Sequence, residues 1–178
     1  MKRWEFRLSG TGGQGLITAG IILAEAAVIE GKEVVQSQSY GPEARGGASK
    51  AEVIIDTKKI NYPKIVIPDI LLAMSQEAVI KYGSEIKEGG IIVIDSSMID
   101  NFQNNKAQIT EIPITKLAKD EVGKVFTANI IAISALVKIT QVVSFDSLKQ
   151  AVLSRIPKGT EEINTKALEL GWQWALNN

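Results

Sequence analysis

What most constrains the fold of this chain is its opening, WEFRLSGTGGQG, from Trp4 to Gly15. Trp4, Phe6 and Leu8 alternate with Glu5, Arg7 and Ser9, the period of a strand. Gly10, Gly12 and Gly15 then satisfy G-x-G-x-x-G, with Gly13 and Gln14 between them. Residues 16–30 have helix-forming composition and stop at Gly31, and EVVQSQ at 33–38 reads as a second strand. Strand, glycine turn, helix and strand make a βαβ unit. The expected architecture is therefore α/β: a three-layer α/β/α sandwich with a Rossmann-like opening.

The next segment breaks the rhythm. Residues 39–49 leave no room for a helix, yet ASKAEVIID at 48–56 is a strand. Parallel neighbours need a crossover of about a dozen residues or more. The 48–56 strand is therefore expected to run antiparallel to a neighbour, in a mostly parallel but mixed sheet. INYPKIVIP at 60–68 reads as an extended piece, and α/β order then resumes. DILLAM (69–74) and IIVID (91–95) read as buried strands, and AQITEIPI (107–114) as one more. Ser75 is placed to cap a helix over 76–82, with Glu77 in its first turn. A short helix at 115–122 and helical segments at 128–139, 145–155 (capped by Ser144) and 161–176 give a helical C-terminal end. No linker, repeat or low-complexity tract interrupts the chain, so residues 1–178 read as a single domain.

Composition removes several kinds of chemistry. The chain has no cysteine and no histidine, and its 20 basic and 20 acidic residues balance. It cannot by itself build a Cys-ligated iron–sulfur cluster or zinc site, nor a Ser-His dyad. No basic run marks a nucleic-acid or anionic-membrane surface. Glu5 and Arg7 interrupt any signal-like apolar core at the N-terminus, and the longest apolar stretches fall far short of the roughly 20 residues of a membrane span. The expected location is cytoplasmic.

The glycine turn sits where its pattern has mechanical meaning, because a helix N-terminus offers free N–H groups to an anion. A dinucleotide site also asks for an acid at the end of the second strand. Here that strand ends Gln36, Ser37, Gln38. Four readings stay open: a dinucleotide site, a tight turn without ligand, a site for another anion such as a phosphate of coenzyme A, or a contact with a partner chain. The loop SYGPEARGG at 39–47 is the other unusual feature. Arg45 and Glu43 there are either an internal ion pair or a guanidinium placed for a carboxylate or phosphate. Asp95, Ser96 and Ser97 follow a buried strand, a position more typical of turn formers and caps than of catalysts. Tyr40 and the Trp172/Trp174 pair read as packing residues. The helices LITAGIILAEAAVIE and ANIIAISALVKI carry unusually few polar residues. Either the C-terminal helices cover them, or, the preferred reading, part of their surface is buried against other subunits.

Taken in order, GTGGQG, SYGPEARGGASKAEVII, PDILLAMSQEA and GGIIVID resemble the gamma subunit of 2-oxoacid:ferredoxin oxidoreductases, over about residues 5–137. The loop residues Tyr40, Gly41, Pro42, Glu43, Arg45, Gly46 and Gly47 most resemble the 2-oxoglutarate branch. The resemblance implies oxidative decarboxylation of a 2-oxoacid to an acyl-CoA with reduction of ferredoxin. It implies alpha, beta and ferredoxin-like delta partner subunits that hold thiamine diphosphate with Mg and the iron–sulfur clusters. This chain lacks cysteine and the Gly-Asp-Gly segment that binds thiamine diphosphate through a metal, so it is not expected to be active alone. By position, Gly10 to Gly15 and the Tyr40–Gly47 loop would face the shared active-site region or the partner chains, holding coenzyme A or closing the thiamine site. No residue is given a proton-transfer role. One departure bears on helix packing: where the family often has Gly-Ala after an asparagine, Asn129 is followed by Ser134-Ala135.

Overall fold

The computed structural model describes residues 3–39 and 47–177. Strand β1 (Trp4–Gly10) leads through the glycine turn to helix α1 (Leu16–Ile29), then β2 (Glu33–Gln38) and β3 (Ser49–Asp56). Next come β4 (Ile70–Ala73), α2 (Gln76–Tyr82), β5 (Ile91–Asp95), β6 (Gln108–Ile112) and α3 (Ile114–Leu117). A π-helical turn at Ala118–Val122 and a 3-10 turn at Val125–Thr127 lead into α4 (Ala128–Thr140), α5 (Phe145–Arg155) and α6 (Glu161–Asn177). The expected caps are present: Ser75 Oγ accepts from Ala78 N at 3.3 Å and Ser144 Oγ from Ser147 N at 3.1 Å.

The six strands form one sheet in the order β2-β3-β1-β4-β5-β6. Strands β1, β4, β5 and β6 pair in parallel. β3 is antiparallel to both β1 and β2, so β2 runs parallel to β1 without touching it. This refines the Rossmann-like opening. The βαβ unit forms, but β3 is wedged between its two strands. The sequence pattern gives strand identity, whereas neighbour order is a long-range property that local periodicity does not encode.

Strand alternation divides the core. Phe6, Leu8, Val53, Ile70, Leu72 and Val93 face one layer, built of α1, α4, α5 and α6. Leu71, Ala73, Ile92 and Ile94 face the other, where α2 contributes Ala78, Val79 and Tyr82. The expectation that apolar helix surface is left for other subunits is corrected for α4, where eleven of thirteen residues are buried within the chain. α6 lies directly on it. A Cβ at Gly171 would collide with the Ile131 carbonyl, so glycine is what lets the two backbones approach. Ser134, the departure from the family pattern, donates to Leu168 O at 2.6 Å across this contact. α1 is covered by α5 and the sheet, and its exposed apolar surface shrinks to Val28 and Ile29 at its C-terminal end. Trp172 packs edge-on against Phe145 at 4.9 Å, with Lys138 over its ring, as a packing residue should.

The other layer is built differently. Arg7, a polar member of the alternating strand, is only 3% exposed. Its Nε donates to Glu52 Oε1 at 2.9 Å and its Nη1 to Glu85 Oε2 at 2.6 Å. The guanidinium also lies 5.0 Å from the centre of the Tyr82 ring. Where α2 does not reach, an ionic web covers the sheet.

Candidate functional site

Two sequence motifs meet at the carboxyl end of β1, the end of a parallel sheet where ligands gather in open α/β folds. β2 and β1 point the same way, so the 39–47 loop leaves the sheet at the end where the glycine turn leaves it. The register pairs Gly10 with Ser49, the first residue of β3. Ser49 Oγ donates to Gly10 O at 3.0 Å, and Ser9 Oγ to Ser49 O at 2.8 Å. Ser39 N donates to Lys50 O at 3.0 Å and closes the base of the loop. Gly47 is half-buried beside this base. Tyr40, Gly41, Pro42, Glu43, Arg45 and Gly46 lie outside the described residues.

The glycine turn is held by its own glutamine. Gln14 Oε1 accepts from Thr11 N at 2.8 Å, and Gln14 Nε2 donates to Met74 O at 2.9 Å, stitching the turn to the end of β4. Any side chain at position 10 would collide with the Gln14 carboxamide, which explains the first glycine. Gly13 and Gly15 have φ of 91° and 74°, in the left-handed region that favours glycine. At Gly15 a Cβ would also lie 2.6 Å from Asn129 Nδ2, which donates to Gly15 O at 3.2 Å. Asn129 opens α4, so the turn is clamped from β4 on one side and from α4 on the other. In the sequence Asn129 is one of the few polar residues of an apolar helix and the asparagine of the family pattern, with no visible link to the glycine turn. A lone amide at the start of such a helix was the available signal.

This geometry weakens the dinucleotide reading. The N–H of Thr11 already has the chain's own carboxamide as acceptor. β3, running the opposite way, stands where a Rossmann fold places its second strand, and β2 ends without an acid. Among the described residues, the N–H groups of Leu16, Ile17 and Thr18 have no backbone acceptor, so the positive end of α1 stays open.

Asp95 is a structural staple. It is fully buried and accepts from Ser97 N and Oγ at 3.1 and 2.5 Å and from Thr115 N and Oγ1 at 3.0 and 2.5 Å. Every acceptor direction serves the β5 turn and the start of α3, which leaves no free carboxylate for chemistry. Among the described residues, no three His, Cys, Asp or Glu side chains are grouped to hold a metal ion, and no helix is long and apolar enough to cross a membrane. The donor set of this chain, without cysteine or histidine, does not fit an iron–sulfur cluster.

A family model described as pyruvate ferredoxin/flavodoxin oxidoreductase matches residues 5–174. The 2-oxoglutarate synthase subunit KorC of Methanocaldococcus jannaschii is 47% identical over 176 residues, covering 97% of this chain and 94% of that subunit. The crystal structure of the gamma subunit of a keto/oxoacid ferredoxin oxidoreductase from Geobacter sulfurreducens is similar with a TM-score of 0.89 and 48% identity, over 98% of this chain and 99% of that one. A 2-oxoglutarate:ferredoxin oxidoreductase from Magnetococcus marinus shares the fold at a TM-score of 0.89 and 24% identity. It covers all of this chain, which spans 32% of that longer one.

Proposed function

We propose that this chain, which belongs to the pyruvate ferredoxin/flavodoxin oxidoreductase family, is the gamma-type subunit of a 2-oxoglutarate:ferredoxin oxidoreductase. The observation that carries the reading is the end-to-end 47% identity to a 2-oxoglutarate synthase subunit. The complex oxidatively decarboxylates 2-oxoglutarate to the acyl-CoA and reduces ferredoxin. Thiamine diphosphate with Mg and the iron–sulfur clusters belong to alpha, beta and ferredoxin-like delta partners in the cytoplasm. The composition supports this division, since a chain with neither cysteine nor histidine has no ligand set for the clusters.

What this chain adds is a shaped surface. The turn from Gly10 to Gly15, locked by Gln14 and Asn129, presents the open end of α1, and Ser39, the base of the 39–47 loop, is held at the same end of the sheet. Such a surface suits an anionic group such as a phosphate of coenzyme A, or a partner chain closing the thiamine site. The whole of residues 1–178 acts as one domain in this role. Pyruvate, a branched-chain 2-oxoacid or indolepyruvate are the alternative substrates. A subunit that only supports assembly is the alternative role.

Purification of the tagged chain from its own cells without air tests the reading. Larger chains, iron, thiamine diphosphate and 2-oxoglutarate-dependent dye reduction should co-elute. A chain that elutes alone and inert overturns it, and faster turnover with pyruvate reassigns the substrate. In the intact complex, Arg45→Ala should raise the KM for coenzyme A. An unchanged KM and turnover with normal assembly would assign the loop a purely structural role.

A further inference from the structure

A second site lies in the helical layer, beside the asparagine that clamps the glycine turn. A cavity of about 330 Å³ opens where the first turns of α1, α4 and α6 meet the end of α5. Phe126, Ile130, Ile156 and Pro157 make its wall apolar. Into that wall are set two asparagines, Asn129 and Asn164, which are 8% and 3% exposed. Each has its amide nitrogen committed. Asn129 Nδ2 donates to Gly15 O at 3.2 Å, and Asn164 Nδ2 donates to Thr160 O at 2.9 Å and Thr160 Oγ1 at 3.1 Å. These bonds fix the orientation of both carboxamides, because the opposite orientation would set oxygen against carbonyl oxygen. Both Oδ1 atoms are then acceptors, and neither has a donor among the described residues.

Among the described residues, no side-chain oxygen or nitrogen is sealed from solvent without a partner. Both oxygens therefore open onto space, and the cavity is the space that both residues line. Buried acceptors in an apolar wall favour a ligand that donates hydrogen bonds. The charges narrow the class. Arg155, at the rim, is held by Glu25, with its Nε donating to Glu25 Oε1 at 2.7 Å, and among the described residues no carboxylate lines the cavity. A cation finds no counter-charge there, while an anion meets two acceptor oxygens and a guanidinium already paired with Glu25, which leaves a neutral ligand as the best fit. Thr18, on the first turn of α1, adds a hydroxyl free to donate to a carbonyl.

We propose that this cavity binds a neutral carboxamide carrying an apolar body, its N–H groups donating to Asn129 and Asn164 and its carbonyl accepting from Thr18. The inference does not rest on the oxidoreductase reading, since it concerns only this chain's own cavity.

Benzamide, acetophenone and benzoate test it on the full chain. The three have the same ring and nearly the same shape. Benzamide alone combines neutrality with N–H donors. Titration followed by amide chemical shifts should show saturable binding of benzamide, with the largest changes at Thr18, Asn129 and Asn164. Acetophenone should bind at least about tenfold more weakly, because it leaves both asparagine acceptors without a donor. Benzoate should bind more weakly still. Thr18→Trp, at an exposed helix position, should fill the cavity and abolish benzamide binding while circular dichroism and Tm stay unchanged. Equal binding of acetophenone, benzamide binding that survives in Thr18→Trp, or no saturation by benzamide would each overturn the proposal. If Thr18→Trp lowers Tm, Phe126→Trp, at a 61% exposed position of the cavity wall, serves as the second cavity-filling variant, with the same criteria.

Discussion

The two faces of the sheet are sealed by opposite means. One is covered by four helices, with α4 so deeply enclosed that its polar residues bond inward, as Ser134 does to Leu168 O. The other has one seven-residue helix, α2, and beyond its reach relies on Arg7 between Glu52 and Glu85. Apolar packing is non-directional and tolerates neighbours of similar volume, whereas an ion pair depends on every member being present. The difference teaches where each layer is vulnerable.

Removing one ion should be the more damaging change. Arg7→Met leaves Glu52 in a largely buried place where, among the described residues, Lys50 at 3.4 Å is the one cation left to answer it. We expect a loss of about 4 kcal/mol in urea unfolding. Arg7→Met combined with Glu52→Met should recover more than half of that loss, because no unpaired charge remains. A double variant as unstable as the single one would break the comparison. On the helical face, Leu136→Ala should cost about 3 kcal/mol, with no partner substitution able to restore it short of refilling the volume.

Acidity and alkalinity should separate the faces more gently. Glu30 joins α1 to α5. Burial alone would raise its pKa, but Lys32 and the Ser144 N–H group bring it down to about 2. A depressed carboxylate stabilises fully above its unfolded pKa and loses that contribution as pH falls. The helical face should therefore loosen between about pH 4.5 and 2, and Glu30→Gln should flatten that part of the stability curve. Lys87, on the α2 side, has the opposite sign. Burial lowers its pKa, but its bonds to Glu5 at 2.9 Å and Asp69 at 3.1 Å outweigh this and raise it. A raised lysine contributes fully below its unfolded pKa and loses that as pH climbs through the folded value. Hydrogen exchange should thus show the α2 side opening at alkaline pH and the α1–α5 contact at acid pH. The smallest effect is expected at Val28, 60% exposed at the end of α1. Val28→Ser should change stability by less than about 0.5 kcal/mol, and a larger loss would mean that α1 is covered there.

The same contrast explains what the sequence revealed. Elements set by near neighbours were legible: the alternation of Trp4 to Ser9, the caps Ser75 and Ser144, and an antiparallel strand demanded by a segment too short for a crossover. The role of Asp95 as a turn former was legible for the same reason. Arg7 was not, because its partners Glu52 and Glu85 lie 45 and 78 residues away. The cover over α4 was one of two readings open in the sequence, and Gly171 favours it, as a glycine in the middle of a helix marks a close approach. In the candidate site the turn was visible and its locks were not. Gln14 reaches Met74 and Asn129 reaches Gly15, contacts spanning 60 and 114 residues.

The wedged strand has a consequence in time. β2 is made before β3 but touches the sheet only through it, along Glu33 to Gln38 against Ala51 to Asp56. The order of synthesis is therefore not the order of stitching. β3 pairs with β2 across 13 to 23 residues but with β1 across 39 to 51. Long-range closure is slow relative to local pairing, so the β2–β3 pair forms first and docks onto β1 through β3. Substitutions in β2 should then slow the formation of structure as well as quicken its loss.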